Sequence, residues 1–210
     1  KHMSGDVGLV QTRLAIIDLE TGDQPIYARD SKKLARAALV ANGEIYNYLE
    51  LKDKFHQTKF STKSDCELPL HLYLSYGSDF ARQLRGMYAI AIHDLKTKQL
   101  ILSRDPFGIK PLYYAETDYG FVFASEAQAI LRAGLVTSKL NHDQRDELMQ
   151  LQFTTGKQTV FQGIFRMLPG ETLVVQGGRI VMRSYQRALP SGERKQIQES
   201  VAIKELDAAL

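Results

Sequence analysis

The sequence predicts an α+β domain built on antiparallel sheets. Turn chemistry recurs between short apolar stretches, which is the signature of hairpins. Helical periodicity is confined to a few segments, and no strand–helix–strand alternation calls for a parallel sheet. The chain has 210 residues, enough to bury a sizeable core.

The elements follow in chain order. Lys1-His2-Met3 does not read as part of a fold, because His-Met is a common cloning scar, so the domain is taken from Ser4. Residues 8–19 (GLVQTRLAIIDL) alternate and then run apolar, predicting a strand that ends on Ile16-Ile17, and residues 22–25 are turn chemistry. Residues 30–36 are polar and basic, a hairpin loop. Leu39-Val40-Ala41 is a short buried strand, after which Asn42-Gly43 predicts a turn. Residues 48–55 have helical spacing in Leu49, Leu51 and Phe55. A second helix begins at residues 63–67, where Ser64 and Glu67 have capping-box spacing. Leu70, Leu72, Tyr73 and Tyr76 form its packed face.

Residues 86–94 and 99–103 predict two strands joined by a turn at residues 96–98. Asp105-Pro106-Phe107-Gly108 is a type I turn. Residues 109–115 and 120–124 make a further hairpin around Thr117-Asp118. Residues 128–133 and 143–151 are helical, the latter with Asn141 as cap. Pro169-Gly170 and Gly177-Gly178 bracket a last hairpin, residues 172–176 and 179–185. Residues 187–195 read as a linker, and residues 198–210 as an amphipathic helix with Ala202, Leu206 and Ala209 on one stripe.

Composition narrows the function classes. Hydrophobic residues are 44% and charged residues 24%, and the net charge is only +3. That balance, with no aromatic-interleaved basic stripe, gives no ground for nucleic-acid binding. One cysteine excludes an internal disulfide and fits a reducing, cytoplasmic setting. No apolar run reaches membrane-spanning length. The histidines are isolated in sequence and no metal site is predicted. No phosphate-cradling glycine loop of the Walker type is present.

The residues with chemical promise lie around Asn42-Gly43-Glu44-Ile45-Tyr46-Asn47. Glycine reaches backbone angles closed to other residues, so the Gly43 N–H can point into a pocket, and Asn42 adds a side-chain amide donor. Two such donors suit an oxyanion. Arg13 stands among apolar neighbours, where a guanidinium needs a partner. Asp65 is by spacing a helix-start acid, favoured by the helix dipole.

NGEIYN resembles the signature of class II glutamine amidotransferases of the asparagine synthetase type. Residues 13–26 (RLAIIDLETGDQPI), Ser64-Asp65-Cys66-Glu67, residues 103–114 (SRDPFGIKPLYY), residues 121–131 (FVFASEAQAIL) and residues 159–168 resemble that family's other stretches, in its order. The resemblance implies an Ntn-hydrolase fold, a four-layer αββα sandwich of two antiparallel sheets with the first strand missing. It implies an amidotransferase domain over residues 4–186, and a linker and helix over 187–210 leading toward an absent synthetase domain.

By the same resemblance, L-glutamine is the substrate. Arg13 binds its α-carboxylate, Asp65 its α-ammonium group with Glu44 as helper, and Asn42 with the Gly43 N–H forms the oxyanion hole. Cys66 stands at the pocket wall, not at the reacting carbon. No cofactor is expected in this domain, whereas ATP and Mg²⁺ are expected for the synthetase domain. The family's nucleophile is a cysteine at the mature N-terminus, which these 210 residues lack. The expectation is therefore an inactive stretch of a longer enzyme that releases ammonia for an acceptor, aspartate being the commonest in such enzymes and sugar or cell-envelope acceptors the alternatives. The alternatives are a ligand-sensing or docking domain without chemistry, and a generic α+β binding module. A homodimer is left open.

Overall fold

The computed structural model describes residues 1–12, 21–30, 32–55, 58–189 and 196–209. Its centre is a six-stranded antiparallel sheet in the order β11-β10-β6-β5-β4-β3. These strands are Arg179–Tyr185, Glu171–Gln176, Gln99–Arg104, Gly86–Asp94, Ala35–Ile45 and Ile26–Arg29. A second sheet has the order β8-β7-β9, from Gly120–Ala124, Tyr113–Thr117 and Phe165–Arg166. A small hairpin pairs β1 (His2–Ser4) with β2 (Val7–Leu9).

The layers follow from the two-residue period of the central strands. Along β4, Ala37, Leu39, Ala41 and Ile45 face α2 (Leu68–Tyr76), packing with Leu68, Leu70, Leu72 and Phe80. The intervening Ala38 and Val40 face the second sheet. There they join Ala89, Ala91, Leu102 and Leu173 against Leu112, Tyr114 and Met167. Beyond the second sheet, Ala115 and Ile164 pack with Ile130 of α3 (Ala127–Arg132). Helices, sheet, sheet and helix therefore stack as an αββα sandwich, in agreement with the α+β expectation.

Several sequence expectations need correction. Asn42-Gly43 is not a turn: β4 continues unbroken to Ile45, pairing Asn42 with Ala89 and Gly43 with Tyr88. The glycine serves close approach between strands, since a Cβ there would lie 2.1 Å from the Met87 carbonyl oxygen and 2.6 Å from the Tyr88 Cα. His2-Met3 belongs to the fold. β1 turns through Gly5 (φ 60°) and sets His2 opposite Leu9, and His2 is buried. Its Nε2 lies 3.1 Å from His93 Nδ1, so these two histidines are not isolated. The β7 strand begins at Tyr113, because the Ile109 and Lys110 N–H groups are drawn to the Asp105 carboxylate instead of a ladder.

The helices are close to expectation. α1 spans Tyr48–Lys54, and α4 spans His142–Leu151 with Asn141 at its cap position but making no side-chain cap bond. The second predicted helix starts as a 3₁₀ turn, Asp65–Glu67, and becomes α2 at Leu68 with Pro69 in its first turn. Proline is tolerated there because its missing N–H has no intrahelical partner to lose. Tyr76 is exposed and not part of the packed face. α5 (Glu199–Ala209) leaves Val201, Ile203 and Leu206 exposed. The predicted strand end at Ile16-Ile17, Arg13 and most of the 187–195 linker lie outside the described residues. Among the described residues no helix is long and apolar enough to cross a membrane.

Candidate functional site

A cavity of about 790 Å³ opens where the two sheets part beside β4. Its apolar part is formed by Val40, Ala89 and Ala91 of the first sheet and Leu112 and Phe123 of the second. Asn42, Gly43, Glu44 and Asp65 all line it, so four of the sequence-predicted residues converge. Arg13, the fifth, lies outside the described residues; its neighbours Gln11 and Thr12 line the same cavity.

Strand register explains why β4 presents polar groups here. In an antiparallel strand the backbone groups of successive residues point alternately to the two flanking strands. Tyr46 N–H donates to the Arg85 carbonyl and Leu95 N–H to that of Arg36, so the even-numbered residues of β4 bond to β5. The odd-numbered residues face the other way, toward β3, which pairs only as far as Ile26 with Leu39. Past that point side chains finish the edge. Gln24 Oε1 accepts from Ala41 N–H at 2.6 Å, and its Nε2 donates to the Ala41 carbonyl at 3.0 Å. Cys66 Sγ lies 3.7 Å from the Gly43 carbonyl. Asp65 Oδ2 accepts from Ile45 N–H at 2.7 Å. The Gly43 N–H lies between these capped positions, on the edge that borders the cavity, and has no partner among the described residues.

Asp65 is 3% exposed, and the bond from Ile45 fixes one of its oxygens. Among the described residues, its other oxygen takes only a long 3.4 Å contact from Ser64 Oγ. Ser64 caps the 3₁₀ turn by accepting from Cys66 N–H at 3.2 Å. The capping-box partner Glu67 does something else: its carboxylate reaches back to the preceding loop. Oε1 accepts from Ser61 N–H and Oγ at 2.7 and 2.9 Å, and Oε2 from Thr62 N–H and Oγ1 at 2.6 and 2.7 Å. His71 Nε2 adds a contact at 3.2 Å. Burial opposes the charge on Glu67, but these donors outweigh it and hold the carboxyl pKa down to about 2. The clamp thereby fixes the turn that carries Asp65.

Asp105 organises the 105–110 loop. It accepts from Phe107, Ile109 and Lys110 N–H groups at 3.1, 2.9 and 3.0 Å. Lys110 lines the cavity, as do Ser125 and Glu126, whereas Gly108 packs against Pro169 and Arg104. Sequence reasoning missed Gln24, and it read Glu67 only as a cap. Neither residue has a local pattern that announces a tertiary partner. Cys66 is 6% exposed on the cavity wall, where it was expected.

Comparison with known proteins settles the family. The glutamine amidotransferase domain family matches residues 1–186. The chain belongs to that family. Among curated relatives of this amidotransferase domain, asparagine synthetase [glutamine-hydrolyzing] 2 of Bacillus subtilis is 43% identical over 129 residues. The match covers 61% of this chain and 17% of that protein. A putative asparagine synthetase [glutamine-hydrolyzing] 2 of Methanocaldococcus jannaschii is 35% identical over 192 residues, covering 85% of this chain and 37% of that one. The chain therefore spans well under half the length of these relatives. Among solved structures, the glutamine phosphoribosylpyrophosphate amidotransferase of B. subtilis superposes with a TM-score of 0.55 at 23% identity, over 77% of this chain and 31% of that one. That likeness supports the Ntn-hydrolase fold.

Proposed function

We propose that the cavity binds L-glutamine and that the domain serves to release ammonia from it for an ATP-dependent synthetase of the asparagine synthetase kind. The observation that carries this reading is the pairing of a buried carboxylate with an open backbone donor on one strand edge. Asp65, oriented by Ile45 N–H, is assigned the α-ammonium group through its remaining oxygen, with Glu44, which lines the same cavity, as helper. The Gly43 N–H and the Asn42 side chain, of residues that both line the cavity, are assigned to the carbonyl oxygen that gains negative charge during attack. Donors of this kind are each worth about 2.7–4 kcal/mol to such a transition state. Arg13 is assigned the α-carboxylate, since a planar guanidinium binds a carboxylate through two parallel bonds.

Cys66 is not assigned as the nucleophile. Its sulfur is buried and directed at the Gly43 carbonyl, a contact in which the thiol acts as donor. A nucleophile supplied from outside these residues is the reading that fits, and the polypeptide of residues 1–210 is expected to bind glutamine without turning it over. The synthetase domain, with its ATP and Mg²⁺, is assigned to sequence beyond residues 187–210, and no residue of this chain is assigned to those ligands.

Calorimetric titration tests the reading. L-glutamine is expected to bind and D-glutamine to bind at least about tenfold more weakly, a difference of about 1.4 kcal/mol. Equal affinity for both enantiomers, or none for L-glutamine, refutes it. Glutamate release that disappears in Cys66→Ser would return the nucleophile to Cys66.

A further inference from the structure

We propose that Gln24 is a positioning residue that ends the pairing of β3 with β4 and so holds the Gly43 N–H open to the cavity. The proposal deepens the glutamine-binding reading and rests on it for its ligand. The β3–β4 register pairs Ile26 with Leu39. Continued outward, the same register would set Gln24 opposite Ala41 and Gly22 opposite Gly43. The backbone does not continue: residues 24–25 bend, and Pro25 has no N–H to offer a ladder. Instead the Gln24 side chain takes the place of the strand. Its carboxamide carries the same donor–acceptor pair as a peptide group, and it satisfies both backbone groups of Ala41, at 2.6 and 3.0 Å. Gln11 Nε2 supports the same carbonyl at 3.2 Å.

This substitution of side chain for strand has a consequence at the next outward-facing residue. A strand carried two residues further would place a backbone acceptor against Gly43. A single carboxamide closes the edge at Ala41 and stops there, so the peptide that joins Asn42 to Gly43 is held on one side by the β5 ladder and, among the described residues, left clear on the other. Asp65 resumes the capping at Ile45. An open donor between two capped ones is what a small carbonyl-bearing ligand needs, because the donor is rigid before the ligand arrives.

The test uses Gln24→Glu, whose carboxylate can accept from Ala41 N–H but cannot donate to the Ala41 carbonyl. Protonation restores the missing donor on a side chain of the same shape. Amide spectra of the ¹⁵N-labelled protein and the variant are recorded between pH 7.5 and 5, without and with L-glutamine. At pH 7.5 the variant is expected to show displaced Ala41 and Gly43 amide signals and L-glutamine affinity lowered about tenfold relative to the unsubstituted chain. Both differences are expected to shrink toward pH 5, as the introduced carboxyl gains its proton. Gln24→Met, of similar length with neither donor nor acceptor of that strength, is expected to lose affinity at every pH. Ligand-free Ala41 and Gly43 signals unchanged in Gln24→Glu overturn the proposal. So does an undiminished affinity in a variant whose signals have moved. If the unsubstituted chain fails to bind L-glutamine, the glutamine reading falls, and the ligand-free signals alone decide the role of Gln24.

Discussion

Replacing Glu67 by glutamine tests how the Asp65 turn is held. The carboxylate takes two backbone and two hydroxyl donors from Ser61 and Thr62, and His71 stands at 3.2 Å. A glutamine side chain has one acceptor oxygen, so whichever way it is turned its NH₂ group meets an N–H and a hydroxyl. The energy at stake follows from the carboxyl pKa, brought from 4.5 to about 2 in the fold. Each pKa unit corresponds to about 1.36 kcal/mol, so the ionised group contributes about 3 kcal/mol at neutral pH. The folded pKa is below the unfolded one. The contribution is therefore fully present above pH 4.5, falls to about 1.5 kcal/mol at pH 3, and disappears as the pH passes below about 2. Urea unfolding at pH 7 and pH 3 reads the difference between the unsubstituted chain and Glu67→Gln. The expected gap is about 3 kcal/mol at pH 7 and about half that at pH 3. A gap below about 1 kcal/mol at pH 7, or one that does not narrow at pH 3, refutes the clamp.

Three other outcomes follow from the same geometry. Gly43→Ala should destabilise the fold by about 1–3 kcal/mol or more, since its Cβ would collide with the Met87 and Tyr88 backbone; an unchanged urea midpoint would show that β4 and β5 can move apart. Asp65→Asn keeps an acceptor for Ile45 N–H but loses the charge, so L-glutamine affinity should fall about tenfold to a hundredfold with little change in stability; retained affinity would remove Asp65 from the ammonium site. Burial, joined at His93 by the charge of its neighbour, holds both His2 and His93 below the ordinary value of 6.5. With folded pKa values lowered, the unfolded chain binds more protons, so stability should fall as the pH drops below 6.5; a His2→Gln, His93→Gln double variant should have a flatter profile between pH 7.5 and 5, and equal slopes would refute this.

What could be read from the sequence was whatever a local pattern encodes. Lys96 to Lys98, Asp105 to Gly108 and Gly177-Gly178 all announced their turns, because turn residues act within four positions of one another. The α+β class followed from those hairpins. Asn42-Gly43 carried an equally strong turn signal and formed strand, because the glycine answers to Met87 and Tyr88, more than forty residues away. His2 looked like a scar because its partner is His93. Glu67 stood at capping-box spacing, yet the loop N–H groups of Ser61 and Thr62 competed successfully for its carboxylate. In each case a tertiary partner outbid the local preference.

The place of Asn42-Gly43 in a strand, not at a turn, bears on how the site is built. A turn would expose the Gly43 N–H by bending the chain away from any ladder, and the donor's direction would then depend on a flexible tip. A strand exposes it by parity: β5 satisfies the even-numbered residues, and the odd-numbered ones are left to whatever lies on the far side. Parity ties the donor to the core, because the same alternation buries Leu39, Ala41 and Ile45 against α2. Shifting β4 by one residue would close the donor and turn those apolar side chains toward the second sheet at once. The direction of the Gly43 N–H is therefore maintained by the hydrophobic core as a whole, and only its accessibility is left to Gln24, Cys66 and Asp65.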